Sequence, residues 1–251
     1  ISNDPSFELN PKLGKSINFD AFTPLVEIAK KNSIKRFIYS STSSVYGIKK
    51  EKDVDENMSL EPLTDYSKYK ADCEFILTKY ISENFTPIII RPATVCGYSP
   101  RQRLDVVVNI LTNLAYHKRA ITIFGGKQLR PNIHIQDMAR AYEVLIEAPK
   151  SKISGEVFNA GYENHSVLEL ASTVKKSIGD DVILKSSPTD DHRSYHISSK
   201  KINKTLGFET KFTITDAVLD LKKAFESQLL PNSFTDEKYF NIKRMKSIQL
   251  N

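Results

Sequence analysis

The hydrophobic residues of this chain fall into short apolar runs that alternate with segments of helical periodicity. Runs rich in β-branched and aromatic residues predict buried strands or extended pieces at residues 35–41, 86–91, 121–124, 130–135, 156–159 and 182–185. Helical spacing of apolar positions predicts helices at residues 17–32, 66–83, 105–116, 136–148, 166–178, 198–206 and 213–228. Strands that alternate with helices in this way are typical of an α/β protein.

The ends of individual elements carry their own signals. The first helix is expected to pack through five apolar residues, Ile17, Ala21, Leu25, Ile28 and Ala29. Ser166, followed three residues later by Glu169, matches a capping box and predicts the start of a helix. Residues 230–251 are polar and show no clear periodicity, so the helix at 213–228 is predicted to be the last.

Candidate chemistry is concentrated between residues 35 and 70. The first strand ends in a run of hydroxyl residues, Ser40, Ser41, Thr42, Ser43 and Ser44, at the end of a strand where open α/β sheets bind ligands. Tyr66 and Lys70 follow after a polar loop and share one face of a predicted helix. A cation beside a phenol favours the phenolate, which can act as a general base. This spacing is common by chance, so the pair gains meaning only from the hydroxyl run before it.

Together with Val45-Tyr46-Gly47, these residues resemble the extended short-chain dehydrogenase/reductase family of nucleotide-sugar epimerases, dehydratases and reductases. The resemblance continues through residues 91–97, 132–139, 157–161 and 199–208, and so covers nearly all of the chain. It implies a doubly wound Rossmann-type parallel sheet with a smaller, interleaved C-terminal α/β substrate domain. Residues 1–98 would form the second half of the dinucleotide-binding domain. Residues 99–251 would form the substrate-binding part, with segments that return to the main sheet.

The resemblance also assigns roles. Tyr66 matches the base that removes a hydroxyl proton, Lys70 the residue that lowers the tyrosine pKa and binds the nicotinamide ribose, and Thr42 the hydroxyl that holds the reacting oxygen. The residues expected to bind NAD or NADP are Ser40, Ser41, Tyr66, Lys70, Arg91, Pro92 and Thr94. Those expected to bind a nucleotide-diphosphate sugar are Ser43, Ser44, Asn109, Arg130 and Arg193. The competing interpretations are a tyrosine that only packs at a helix start and arginines that only form surface ion pairs.

The choice of reaction depends on the two residues after Thr42. Family members that eliminate water usually carry an acid there, whereas this chain has Ser43 and Ser44. An epimerase, which needs only hydride removal and return, is therefore favoured over a dehydratase. A one-way sugar reductase or dehydrogenase stays open, and so does a non-catalytic remnant that binds sugar nucleotides.

The glycines bear on the cofactor. No three of the nine glycines fit G-x-G-x-x-G or the family's related spacing, which normally opens the helix that holds the NAD pyrophosphate. We therefore expect an N-terminally incomplete family member, or else a natural truncation that has no cofactor.

Composition narrows the partners and the compartment. The net charge of +6 suits an anionic ligand, and the lysines are scattered in pairs without a reader motif, so nucleic acid is not expected. No run approaches the roughly 20 apolar residues of a membrane span. Cys73 and Cys96 show no pairing pattern, which favours reduced thiols and a cytoplasmic location. The five histidines form no metal-ligand pattern, and the long helix after Tyr66 resembles the one that the family uses to form homodimers.

Overall fold

The computed structural model describes residues 1–51, 53–190 and 194–250. The helices are α1 (Asp4–Leu9), α2 (Pro11–Lys15), α3 (Phe22–Lys31), α4 (Asp65–Thr78), α5 (Val107–Lys118), α6 (Ile135–Glu147), α7 (Lys150–Ile153), α8 (Val167–Ile178), α9 (Lys200–Leu206), α10 (Ile214–Glu226) and α11 (Asn241–Ser247). The strands are β1 (Arg36–Ser40), β2 (Thr86–Pro92), β3 (Thr94–Cys96), β4 (Ala120–Phe124), β5 (Leu129–His134), β6 (Val157–Ala160), β7 (Glu163–Ser166) and β8 (Ile183–Ser187).

A parallel three-stranded sheet positions the site. Strand β2 lies between β1 and β6, and both neighbours run parallel to it. Residues 86–91 of β2 are buried, as the central apolar run Ile88-Ile89-Ile90 predicts for a strand covered on both faces. Because the strands share one direction, Ser40, Pro92 and Ala160 end at the same edge of the sheet. A doubly wound sheet binds its ligands at that edge, and the predicted α/β fold class is confirmed.

Two smaller sheets are built from the remaining strands. Strand β5 pairs with β3 in parallel and with β7 in antiparallel orientation, while β4 pairs with β8 in parallel. Helices α5, α8 and α10 share one apolar cluster beside these strands. Between these elements the chain returns to the main sheet as β6, so the two halves interleave in sequence.

The first predicted helix differs from the structure in its bounds and in its buried face. A π turn at Ser16–Asp20 precedes α3, which buries Phe22 and Val26. Leu25 and Ile28, which were expected to be buried, are 54% and 59% exposed. The predicted stripe was wrong because the aromatic ring of Phe22 sets the orientation of the helix. That ring packs 4.7 Å from the ring of Tyr39 on β1.

Residues 230–250 also differ from the prediction, because they fold onto the rest of the chain. A 3-10 turn at Glu237–Tyr239 and helix α11 follow α10, and the side chains of Leu230, Tyr239 and Met245 are buried. The anchors are irregularly spaced, which explains why no periodicity was visible. By contrast, the capping box of Ser166 and Glu169 is confirmed.

Cys73 and Cys96 are both buried thiols. Within the described ranges, none of the helices combines the length and apolarity needed to cross a bilayer.

Candidate active site

The hydroxyl run forms a tight turn at the end of β1. Ser43–Tyr46 is a 3-10 turn, and Thr42 is its N-cap. The Thr42 hydroxyl accepts a hydrogen bond from the Ser44 backbone N–H at 3.2 Å and lies 3.0 Å from the Ser44 hydroxyl. This capping fixes the turn and keeps several hydroxyl groups at the edge of the sheet.

Helix α4 brings Tyr66 and Lys70 to the same edge. Its start is fixed by a capping box between Thr64 and Ser67, so Tyr66 lies in the first turn. One turn later, the Lys70 ammonium donates to the backbone carbonyl of Ser40 at 2.7 Å. The same ammonium lies 5.9 Å from the centre of the Tyr66 ring. The lysine therefore ties the helix to the end of β1 while facing the phenol.

These groups line one cavity of about 870 Å³. Eleven of the predicted site residues contribute to its wall: Ser40, Ser41, Thr42, Ser43, Ser44, Tyr66, Lys70, Pro92, Thr94, Asn109 and Arg130. Of the two remaining predicted residues, Arg193 lies outside the described residues, and Arg91 lies behind the cavity wall.

Burial dominates the electrostatics of the tyrosine and the lysine. The pKa of Tyr66 is raised above its usual range by burial and by the Asp4 carboxylate, while Arg103 opposes the rise. Burial likewise lowers the pKa of Lys70. The protein groups alone thus shift the pKa of Tyr66 in the direction opposite to the expected one, because the phenolate would lose its hydration.

Arg91 belongs to a buried network behind the hydroxyl turn. Its guanidinium donates to the two carboxylate oxygens of Glu74 at 3.0 and 2.6 Å and to the Tyr46 hydroxyl at 2.7 Å. Tyr46 in turn donates to Asn159 at 2.8 Å, and the Ser41 hydroxyl donates to Glu74. The Arg91 side chain therefore joins α4, β2 and the hydroxyl turn. The C-terminal end of β2 reaches the cavity through Pro92.

The predicted substrate residue Asn109 is already engaged by the protein. Its side-chain oxygen accepts from the Gly97 N–H at 3.0 Å, and its amide nitrogen donates to the Arg103 carbonyl at 2.8 Å. Asn109 thus shapes the loop between β3 and α5. Arg130 also reaches the wall, and one of its guanidinium nitrogens donates to the Leu129 carbonyl at 2.9 Å.

The structure adds wall residues to which sequence reasoning gave no role, including Asn3, Arg103, Asp105 and Tyr195. A signal for Arg103 was present, because it follows shortly after a strand that ends at the ligand-binding edge. Tyr195 gave no comparable signal, since its position depends on the fold of an irregular segment.

Comparison with known proteins identifies a family and several relatives of this chain. A family model described as NAD dependent epimerase/dehydratase matches residues 2–161. A Bacillus subtilis protein described as an uncharacterized UDP-glucose epimerase, YtcB, is 36% identical over 165 residues, which are 64% of this chain and 51% of that protein. The chain spans about half the length of the curated relatives it matches.

Solved structures are similar over most of the chain. UDP-glucose 4-epimerase of Thermotoga maritima, solved with UDP-glucose, has a TM-score of 0.81 at 25% identity and covers 91% of this chain and 75% of its own. UDP-glucuronic acid 4-epimerase of Bacillus cereus, solved with UDP-glucuronic acid and NAD, has a TM-score of 0.76 at 26% identity, with 86% and 69% covered. The family model spans more than half of the chain, and the fold and motifs agree with it, so the chain belongs to the NAD-dependent epimerase/dehydratase family.

Proposed function

We propose that the protein is an NAD(P)-dependent nucleotide-sugar epimerase in which Tyr66 is the base. One observation carries the proposal: Thr42, Tyr66 and Lys70 come from two separate segments and line the same cavity. Lys70 also contacts the end of β1 directly. A phenol, an ammonium and a hydroxyl at the ligand-binding edge are the groups that alcohol oxidation by proton removal requires.

The wall fits the nicotinamide and ribose part of a dinucleotide. Lys70 and Tyr66 offer polar groups beside Pro92, and Asn3 contributes a buried side-chain oxygen for which the described residues provide no hydrogen-bond partner. A ribose hydroxyl or a carboxamide N–H could satisfy that oxygen. When bound, the cofactor supplies the hydride acceptor and later the hydride donor.

The chain's own residues would handle the proton. Tyr66 would accept the proton of a sugar hydroxyl, and the Thr42 hydroxyl would hold the same oxygen by a hydrogen bond. The ketone would then rotate within the cavity. Tyr66 would return the proton to the oxygen while the hydride is returned to the opposite face of the sugar carbon. Because burial raises the pKa of Tyr66, this step requires that the bound ligands, together with the Arg103 cation, bring it down. The Lys70 ammonium, 5.9 Å from the centre of the Tyr66 ring, would favour the phenolate further.

The serines after Thr42 favour epimerisation. Water elimination needs an acid beside the sugar to protonate the leaving hydroxide. Family members that eliminate water usually carry it within two residues of the catalytic threonine, where this chain has Ser43 and Ser44, and both serines line the cavity. The closest rival within the same chemistry is a one-way reductase or dehydrogenase, which would use the same three residues.

A direct assay separates these functions. The full-length protein would be incubated with UDP-glucose or UDP-glucuronic acid and NAD, while the C4 epimer is followed by proton NMR and NADH by its absorbance. Epimer formation without net NADH supports the proposal, whereas stoichiometric NADH indicates a dehydrogenase. Absence of both turnover and NAD binding would favour a non-catalytic sugar-nucleotide-binding protein.

We further propose that two copies associate through α3 and α4. Phe75 on α4 is 66% exposed, and Leu25 and Ile28 on α3 are more than half exposed. The two helices lie side by side, with the Tyr80 hydroxyl 3.2 Å from Glu27. Exposed apolar side chains on adjacent helices favour burial against another surface.

A further inference from the structure

The loop between β3 and α5 carries cations of the cavity wall and is held from two sides. Residues 99 and 101–103 all reach the cavity, and Arg103 is the member whose charge acts on Tyr66. On the inner side, Asn109 holds the loop through its hydrogen bonds to Gly97 and Arg103. The outer side is held by the C-terminal tail, residues 230–250.

The tail reaches this loop through one shared carboxylate. One oxygen of Asp105 accepts from Arg103 Nε at 2.8 Å, and the other accepts from the backbone N–H of Asn241 at 2.8 Å. Between them, the Leu104 N–H donates to the Tyr239 carbonyl at 2.9 Å. The Leu104 side chain is fully buried in a cluster with residues of α10 and the tail. The orientation of the Arg103 guanidinium therefore depends on where the tail lies.

We propose that the C-terminal tail is a positioning element for substrate binding, acting through Asp105 to aim Arg103 at an anionic group of the nucleotide sugar. The inference rests on the proposed function. An arginine with one N–H committed to a carboxylate keeps its remaining N–H donors in a fixed plane, which suits recognition of phosphate or carboxylate oxygens. The anionic group is either the diphosphate or a carboxylate on the sugar.

The position of Asn241 allows a selective test. Asn241 is the first residue of α11, where proline is well tolerated, and Phe240 before it has φ −129° and ψ 109°, which a following proline permits. Asn241→Pro therefore removes the N–H that Asp105 accepts while leaving the helix intact. Asn241→Ala is the matched control, because it loses the same side-chain contacts to Arg101 and Ser2 but keeps the N–H.

Binding of UDP-glucose and of UDP-glucuronic acid to the full-length protein would be measured by calorimetry at fixed salt. We expect Asn241→Pro to bind about tenfold more weakly than Asn241→Ala, the loss expected for one hydrogen bond to a charged group. NAD affinity should be equal in the two variants. Weakening with both sugars identifies the diphosphate as the group that Arg103 contacts, and weakening with UDP-glucuronic acid alone identifies the sugar carboxylate.

A double-variant cycle shows whether the tail acts through Arg103. In an Arg103→Ala background, the difference between the proline and alanine variants should disappear. Equal affinity of the proline and alanine variants, or a difference that persists without Arg103, would overturn the inference alone. A wild-type protein that binds neither sugar nucleotide would refute the proposed function and this inference with it.

Discussion

Glu74 and Arg91 form a fully enclosed ion pair: Oε2 and Nη2 lie 2.6 Å apart, and each side chain is 5% exposed. Glu74→Gln would leave the Arg91 charge buried without its counter-charge. We expect a loss of about 3–5 kcal/mol in the free energy of unfolding, because breaking one side of a buried pair is costly. Urea denaturation monitored by circular dichroism measures this loss.

Two variants control for the chemistry of that substitution. Asp181→Asn also removes a carboxylate from an arginine, but its pair with Arg119 is largely exposed, so little change is expected. The double variant Glu74→Leu with Arg91→Leu should recover much of the stability, since no unpaired charge remains. If Glu74→Gln were as harmless as Asp181→Asn, the buried pair would contribute nothing to the fold.

The pKa of Tyr66 predicts how its ionisation responds to pH. Since burial raises that pKa, the phenol should stay protonated in the protein alone through the usual tyrosine range of about 10. The contribution of Tyr66 to the free energy of unfolding is then fully present below its pKa in the unfolded chain, and it is lost as pH rises through its pKa in the folded protein. Carbon-13 NMR of labelled tyrosine ring carbons, with Tyr66→Phe to assign the signal, measures it. Ionisation of the Tyr66 phenol below the usual tyrosine range, in the protein without ligands, would contradict the burial argument.

The exposed apolar surface of α3 and α4 makes a prediction about assembly. Phe75→Asp should shift the protein from dimer to monomer in sedimentation velocity, because a carboxylate cannot be buried there without a partner. Ile146→Asp is a fitting control, because Ile146 is 59% exposed on α6, a different helix. A Phe75→Asp protein that sediments like the wild type would exclude this surface as the interface.

Much of the fold could be predicted because local patterns determine it. The buried strand at residues 86–91 could be predicted because its centre is the apolar run Ile88-Ile89-Ile90 and a proline follows its end. The hydroxyl run could be placed at the ligand-binding edge because it follows a strand. Tyr66 and Lys70 were grouped with it through the resemblance to the family. These residues line one cavity in the structure, while their chemical roles stay predictions.

The remaining features depend on contacts between distant residues. The engagement of Arg91 by Glu74 needs α4 to cross β2 at the right height, which no local pattern specifies. The tail is anchored by single residues such as Tyr239, and each of them is buried only because distant parts of the chain form an apolar cluster around it. The buried face of α3 was mispredicted for the same reason, since its orientation depends on the ring of Tyr39.

The central claim is that the phenolic hydroxyl of Tyr66 takes and returns the substrate proton. Tyr66→Phe removes that oxygen and little else, and Tyr69→Phe is the matched control, because Tyr69 lies three residues along the same helix and packs against Phe7 and Phe19. The deciding measurement is kcat for nucleotide-sugar epimerisation by the full-length protein. We predict a fall of at least about 100-fold for Tyr66→Phe, as expected for loss of a general base, with Tyr69→Phe near wild type. Equal kcat for Tyr66→Phe and wild type would contradict the account.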